Sequence, residues 1–183
     1  TFLESSTGMA ALGSLVVGNV ASTKVRAASL ELSRCIDVNV SLGHYPFRRL
    51  AQDDPAELVR TLQRQGVVQA WAGSFEALLN KDISGVNERL AAACRGHGRG
   101  LLVPFGCVNP HLPDWEEELE RCARIHRMPG IRLHPNYHGY RLDEPVVEQL
   151  FERASRMGLV IQVALVMEDE RMMHPLVRVE PVD

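Results

Sequence analysis

The residue types best suited to chemistry lie together in one run, Gly130-Ile131-Arg132-Leu133-His134-Pro135-Asn136-Tyr137-His138-Gly139-Tyr140. Its first four residues read as a short apolar strand, and the rest as a polar loop closed by Gly139. Arg132 and His134 are two apart, so in a strand both project to one face while Leu133 projects to the other. A guanidinium carries a planar fork of donors that grips a carboxylate through two bonds. An imidazole moves a proton near neutral pH. Arg132 is therefore expected to hold an anion, with His134 or His138 as general acid or base and Asn136 and Tyr137 as further contacts. The competing reading is structural: an arginine paired with a carboxylate, beside a solvated histidine.

Such a loop needs a rigid framework, and the chain offers one. From Cys35 onward residues 33–42 alternate, with Ile36, Val38, Val40 and Leu42 on one face and Asp37, Asn39 and Ser41 on the other. A loop bearing His44 and Arg48 follows. Asp53-Asp54-Pro55 then opens a helix striped by Leu58 and Leu62 and stopped by Gly66. Residues 67–73 read as a second strand and 74–80 as a short helical loop. A helix runs from about Asp82 to Arg95, with Ile83, Val86, Leu90 and Cys94 at helical spacing. Residues 101–108 are almost continuously apolar, as a strand buried in a parallel sheet is, and Asn109 stands at their end. Pro113-Asp114 opens a third helix. Its acidic first turn (Glu116, Glu117, Glu118) and basic last turn (Arg124, His126, Arg127) suit the helix dipole and give those charges a structural reason. A fourth helix starts at Asp143-Glu144-Pro145, and residues 159–166 form a fifth strand whose only polar residue is Gln162.

Regular strand–helix alternation predicts an α/β fold with a parallel sheet. No Gly-x-Gly-x-x-Gly or phosphate-loop motif accompanies it, which favours a barrel over a nucleotide-binding open sheet. The expectation is a partial (β/α)8 barrel of about five strands and four helices, with an open sheet edge that would leave the segment marginal or prone to aggregation.

Composition excludes several classes. The 183 residues are 45% hydrophobic and 23% charged with net charge −3, as in a soluble globular domain. Without a basic surplus, and with 5% aromatic residues, nucleic acid is not an expected partner. Cys35, Cys94, Cys107 and Cys122 form no Cys-x-x-Cys pair and read as buried free thiols. Residues 1–27 read as an export signal: Phe2-Leu3 precedes an apolar, small-residue core at 9–18 that is too short to span a membrane. This segment resembles a bacterial twin-arginine signal that begins just after its arginines, so the domain at 28–183 would be exported, with no membrane partner once the signal is removed. The competing reading is an N-terminal core helix in a cytoplasmic protein.

Three segments carry a family resemblance: Ile36-Asp37-Val38-Asn39, Val103-Pro104-Phe105-Gly106-Cys107-Val108-Asn109-Pro110, and Gly130-Ile131-Arg132-Leu133-His134-Pro135. In order and spacing they resemble the amidohydrolase-related (amidohydrolase 2-type) barrels, metal-dependent hydrolases and decarboxylases, over roughly residues 33–175. The resemblance implies zinc or another divalent cation held by a His-x-His at the end of the first strand and by a histidine on the strand after Arg-Leu-His-Pro. Those positions read Asn39, Ser41 and Ala164 here, so no metal ligand is expected among them, and the cofactor stays open. The remaining set is Arg132, His134, His138 and Asp37 for catalysis, and Asn39, His44, Arg48, Asn109, Asn136, Tyr137 and Gln162 for substrate, with His174 at its margin. It suits a hydrolase or decarboxylase-type lyase acting on a small carboxylated or carbonyl compound. The alternative is an inert barrel that binds a small ligand. The oligomeric state is left open.

Overall fold

Strand order follows chain order. In the computed structural model, which describes residues 34–98 and 100–164, five parallel strands lie side by side as β1 (Cys35–Leu42), β2 (Val67–Ser74), β3 (Leu102–Cys107), β4 (Gly130–Leu133) and β5 (Val160–Val163). A nucleotide-binding open sheet reverses direction at a switch point, whereas a barrel adds each strand beside the last. Helices α1 (Pro55–Arg64), α2 (Ile83–His97), α3 (Trp115–Glu120), α4 (Pro135–His138) and α5 (Pro145–Arg156) fill the connections. The expected partial barrel is therefore present. The export-signal segment, residues 165–166 of the expected fifth strand and His174 lie outside the described residues. No helix among the described residues is long and apolar enough to cross a membrane.

Local chemistry sets the element ends. Asp54 accepts the Glu57 N–H (2.8 Å) and Pro55 sits in the first turn of α1. Asp82 accepts the Gly85 N–H (2.9 Å) to start α2. α4, a single turn inside the expected loop, opens on Pro135 and closes at Gly139 with φ 72°. The main apolar core joins the helix-facing side of the sheet (Ala70, Ala72, Ile131, Leu133) to Leu62, Leu90, Leu119 and Leu150. On other positions of β2 and β3, Trp71 stacks on Phe105 with ring centroids 4.7 Å apart. The sheet curls far enough for Gln162 Nε2 of β5 to donate to the Val38 carbonyl of β1 at 2.6 Å.

Three expectations change. First, β1 does not alternate strictly. Asp37 pairs with Ala70 and Val40 with Ala72, so Val38 and Asn39 together oppose one residue of β2 in a bulge. The Asp37 carboxylate accepts the Asn39 N–H at 2.9 Å within it. As a result Ile36 and Val38 are 54% and 44% exposed while Val40 and Leu42 are buried. Second, Cys35 is exposed, because it opens an edge strand; Cys94, Cys107 and Cys122 are buried, and all four thiols are free. Third, Glu118 is buried and bonded to Asn87, a reason for its charge beyond the helix dipole. The cause lies in β3. Its paired register with β2 ends at Ala72–Pro104, three residues short of Cys107. Asn87 of α2 takes over, accepting the Cys107 N–H and donating to its carbonyl, both at 2.7 Å, and its amide also donates to Glu118 at 2.7 Å.

Candidate active site

Arg132 sits where four strands converge. It is 1% exposed, and each of its five N–H groups has a protein acceptor. Nε donates to Gln162 Oε1 (2.8 Å), Nη1 to the Val40 carbonyl (2.8 Å) and Ser41 Oγ (3.1 Å), and Nη2 to the carbonyls of Trp71 (3.0 Å) and Val38 (3.3 Å). The bulge in β1 turns strand carbonyls toward it. Gly73 leaves the space: a Cβ there would stand 2.6 Å from Nη1 and 3.0 Å from Cζ. Burial pushes the Arg132 pKa down to about 10, against the opposing charge of Asp37, so the group stays cationic at neutral pH. The expected grip on a substrate carboxylate would have to displace these protein bonds.

The second group gathers at the end of β4. His134 is 2% exposed and caps α4, its carbonyl accepting the N–H groups of Tyr137 (3.1 Å) and His138 (3.0 Å). The His134 and His138 rings lie 5.9 Å apart, centroid to centroid, nearly perpendicular, and the Tyr137 ring is 6.3 Å from His134. His138 Nε2 stands 2.8 Å from the Ala77 carbonyl. A carbonyl only accepts, so Nε2 carries the proton and Nδ1 of the neutral ring is left as a lone-pair acceptor. Among the described residues two buried imidazole nitrogens here lack a hydrogen-bond partner, His134 Nδ1 and His138 Nδ1, while the Tyr140 hydroxyl is drawn only to the His134 backbone. Burial, with the neighbouring His138 and Arg132 charges, pushes the His134 pKa down to about 3. His138 is also lowered by burial, partly offset by its bond to Ala77, and burial raises the Tyr140 phenol.

The other expected residues divide among these groups and the surrounding loops. Asp37, Ser41 and Gln162 surround Arg132, whereas Asn39 is exposed on the bulge. Asp37, Asn39 and Ser41 also line a groove of about 390 Å³ shared with Gln52, Thr61 and Gln65 on the side of α1. Asn136 and Tyr137 ride half-buried on α4 beside the histidines. His44 is apart from both groups; its side chain is 80% exposed and its Nδ1 meets Asp53 Oδ2 at 2.9 Å. Arg48 lies over the Tyr45 ring. Asn109 accepts the His111 N–H (3.0 Å) and shapes its own turn. Sequence reasoning placed Tyr140 in the polar run without giving it a role, and overlooked Asn87. The signal for Asn87 was available: an amide at position 87, between Ile83 and Ala91, stands on the buried stripe of α2.

The family-implied metal does not fit the visible positions. Ser41 Oγ is bonded to Arg132, Asn39 is exposed and Ala164 has no donor. Among the described residues no three His, Cys, Asp or Glu side chains are placed to hold an ion.

Comparison with known proteins gives the context. A segment of 113 residues is 30% identical to glutamine–fructose-6-phosphate aminotransferase (isomerizing) 2 of Bos taurus; it spans 61% of this chain and 15% of that protein, too little to set a family. The fold is similar to 5-carboxyvanillate decarboxylase from Novosphingobium aromaticivorans, solved with bound manganese and 3-methoxy-4-hydroxy-5-nitrobenzoic acid (TM-score 0.58, 15% identity, 80% of this chain and 55% of that one). It is also similar to 4-oxalomesaconate hydratase from Rhodopseudomonas palustris (TM-score 0.52, 13% identity, 70% and 51%). The chain thus spans about half the length of these structures. The family model described as Amidohydrolase matches residues 41–179, about three quarters of the sequence, in agreement with the strand order and the Arg132–His134 strand end. The chain belongs to the amidohydrolase family.

Proposed function

We propose that this protein is a hydrolase or lyase acting on a small carboxylated compound, with proton transfer at the His134–His138 pair. The observation that carries the reading is the pair of buried imidazole nitrogens, His134 Nδ1 and His138 Nδ1, without partners among the described residues. Buried polar atoms are almost always satisfied, so a cluster of orphans marks where a ligand completes the hydrogen bonding. The two imidazoles divide the work. The Ala77 carbonyl fixes the His138 tautomer and orients its ring, which leaves Nδ1 as the proton acceptor. His134 stays neutral at working pH and serves as a hydrogen-bond partner to the substrate rather than as a proton carrier. Arg132, its donors engaged, acts through its charge. The decarboxylase and the hydratase among the similar structures support a carboxylated substrate and a lyase or hydrolase reaction. Residues 1–27 support action outside the cytoplasm, which N-terminal mass spectrometry of the mature protein tests.

The test is a screen of aromatic and aliphatic carboxylates for decarboxylation, hydration and hydrolysis, run with wild type and His138→Ala. The expected loss in the variant is about 100-fold or more in kcat. Full turnover in His138→Ala would sink the assignment. A second reading, ligand binding without turnover, is favoured by the weak basicity of His134 and the engaged donors of Arg132. It is expected to show saturable binding by calorimetry and no product.

A further inference from the structure

The oxygens that converge inside the curled sheet form an arrangement suited to a cation. The Val38, Val40 and Trp71 carbonyls, Ser41 Oγ and Gln162 Oε1 come from β1, β2 and β5 and point at one place. Oxygen sets of this kind suit hard metal ions, and a protein of similar fold carries manganese. Here every one of those oxygens is bonded to Arg132. We propose that the Arg132 guanidinium stands in for a metal ion in this protein, a cation supplied by the chain itself that fills the oxygen-lined centre and excludes a divalent ion from it.

Three further observations agree. Ser41 and Ala164 occupy positions the family resemblance marks for metal; the first is bonded to Nη1, and the second lies two residues beyond Gln162 on the same strand path, with no donor of its own. Gly73 provides room for the guanidinium and for nothing larger than a hydrogen beside it. A divalent ion brought to these oxygens would meet a buried cation of like sign within a few ångströms, where solvent screens poorly. The consequence for chemistry is a positive field at the strand ends that chelators do not remove. It would draw an anionic ligand toward the His134–His138 cluster. The inference holds whether or not the protein turns over a substrate.

Metal content and stability test it. The full chain, expressed with added manganese and zinc and purified without chelators, is expected to hold below about 0.1 ion per chain by elemental mass spectrometry. Its melting temperature should not change with EDTA or with added manganese. Near one ion per chain, retained through gel filtration and linked to a fall in melting temperature with EDTA, would overturn the proposal. A pair of variants sharpens the test. Asn39→His with Ser41→His is expected to bind manganese weakly while Arg132 remains, and at least about tenfold more tightly once Arg132→Gln is added, read by manganese electron paramagnetic resonance. Equal affinities in the two backgrounds would also overturn it. If the triple variant does not fold, the wild-type ion content decides. None of these readouts measures turnover, so a metal-bearing protein would remove this inference and leave the histidine reading standing.

Discussion

Two buried polar clusters lie on different sides of β3 and β4, and they differ in what is left over. Around Asn87, everything is paired. Its amide nitrogen serves Cys107 and Glu118, its oxygen takes the Cys107 N–H, and Glu118 meets Arg121 at 3.5 Å. Around His134 and His138, the two imidazole Nδ1 atoms have no partner among the described residues. Depth of burial is similar, so burial alone does not mark a site. The difference lies in satisfaction: a closed network holds the fold, and an open one waits for something to close it.

The largest effect expected from breaking this contrast is at Asn87. Asn87→Ala strands the Cys107 backbone groups and the Glu118 carboxylate, and should cost about 3–5 kcal/mol in urea unfolding. A cost under about 1 kcal/mol would show that the network is not closed in the way described. Next come the histidines in an activity assay. His138→Ala should lower kcat by about 100-fold or more with stability within about 1 kcal/mol, while His134→Gln should act chiefly on KM. The reverse split would exchange their roles.

The third prediction uses pH. The His134 pKa is about 3 in the fold against 6.5 ordinarily, so between those values the unfolded chain binds the extra proton. Its contribution to stability is therefore full above about pH 6.5 and falls as pH drops toward 3, by up to about 1.4 kcal/mol per pH unit. His138, also lowered, adds in the same direction. Melting temperatures recorded from about pH 7 to about pH 4 should decline less steeply in His134→Gln than in wild type. Matching slopes would mean that the His134 ring is open to water. The smallest effect is at Tyr140. Removing the buried hydroxyl in Tyr140→Phe should change stability by no more than about 1 kcal/mol. A larger loss would show that the phenol holds a stronger bond than its contact with the His134 backbone.

The sequence carried the strand–helix alternation and the parallel sheet, because periodicity is a local property. It did not carry the use of Arg132. That side chain's acceptors are mostly backbone carbonyls from residues 61 to 94 positions away, and no pattern of residue types encodes a carbonyl turned by a bulge. The bulge itself escaped the strict alternation of residues 36–42 for the same reason. His44, Arg48 and Asn109 were grouped with the site because they follow strand ends. Their positions in local turns depend on nearby partners such as Asp53, Tyr45 and His111. Asn87 was overlooked because the apolar residues around it explained α2 without it.

The Gln162–Val38 bond has a consequence for how the chain folds. It ties residues 124 positions apart, whereas β1 meets β2 after a single crossover through a loop and α1. Closing so long a loop costs entropy that local contacts must offset first. Each strand–helix pair can assemble on its neighbour in chain order, but the curl that brings β5 round to β1, and with it the full acceptor set of Arg132, can form only when β5 has docked. The arginine at the centre therefore stays one acceptor short until β5 joins the sheet.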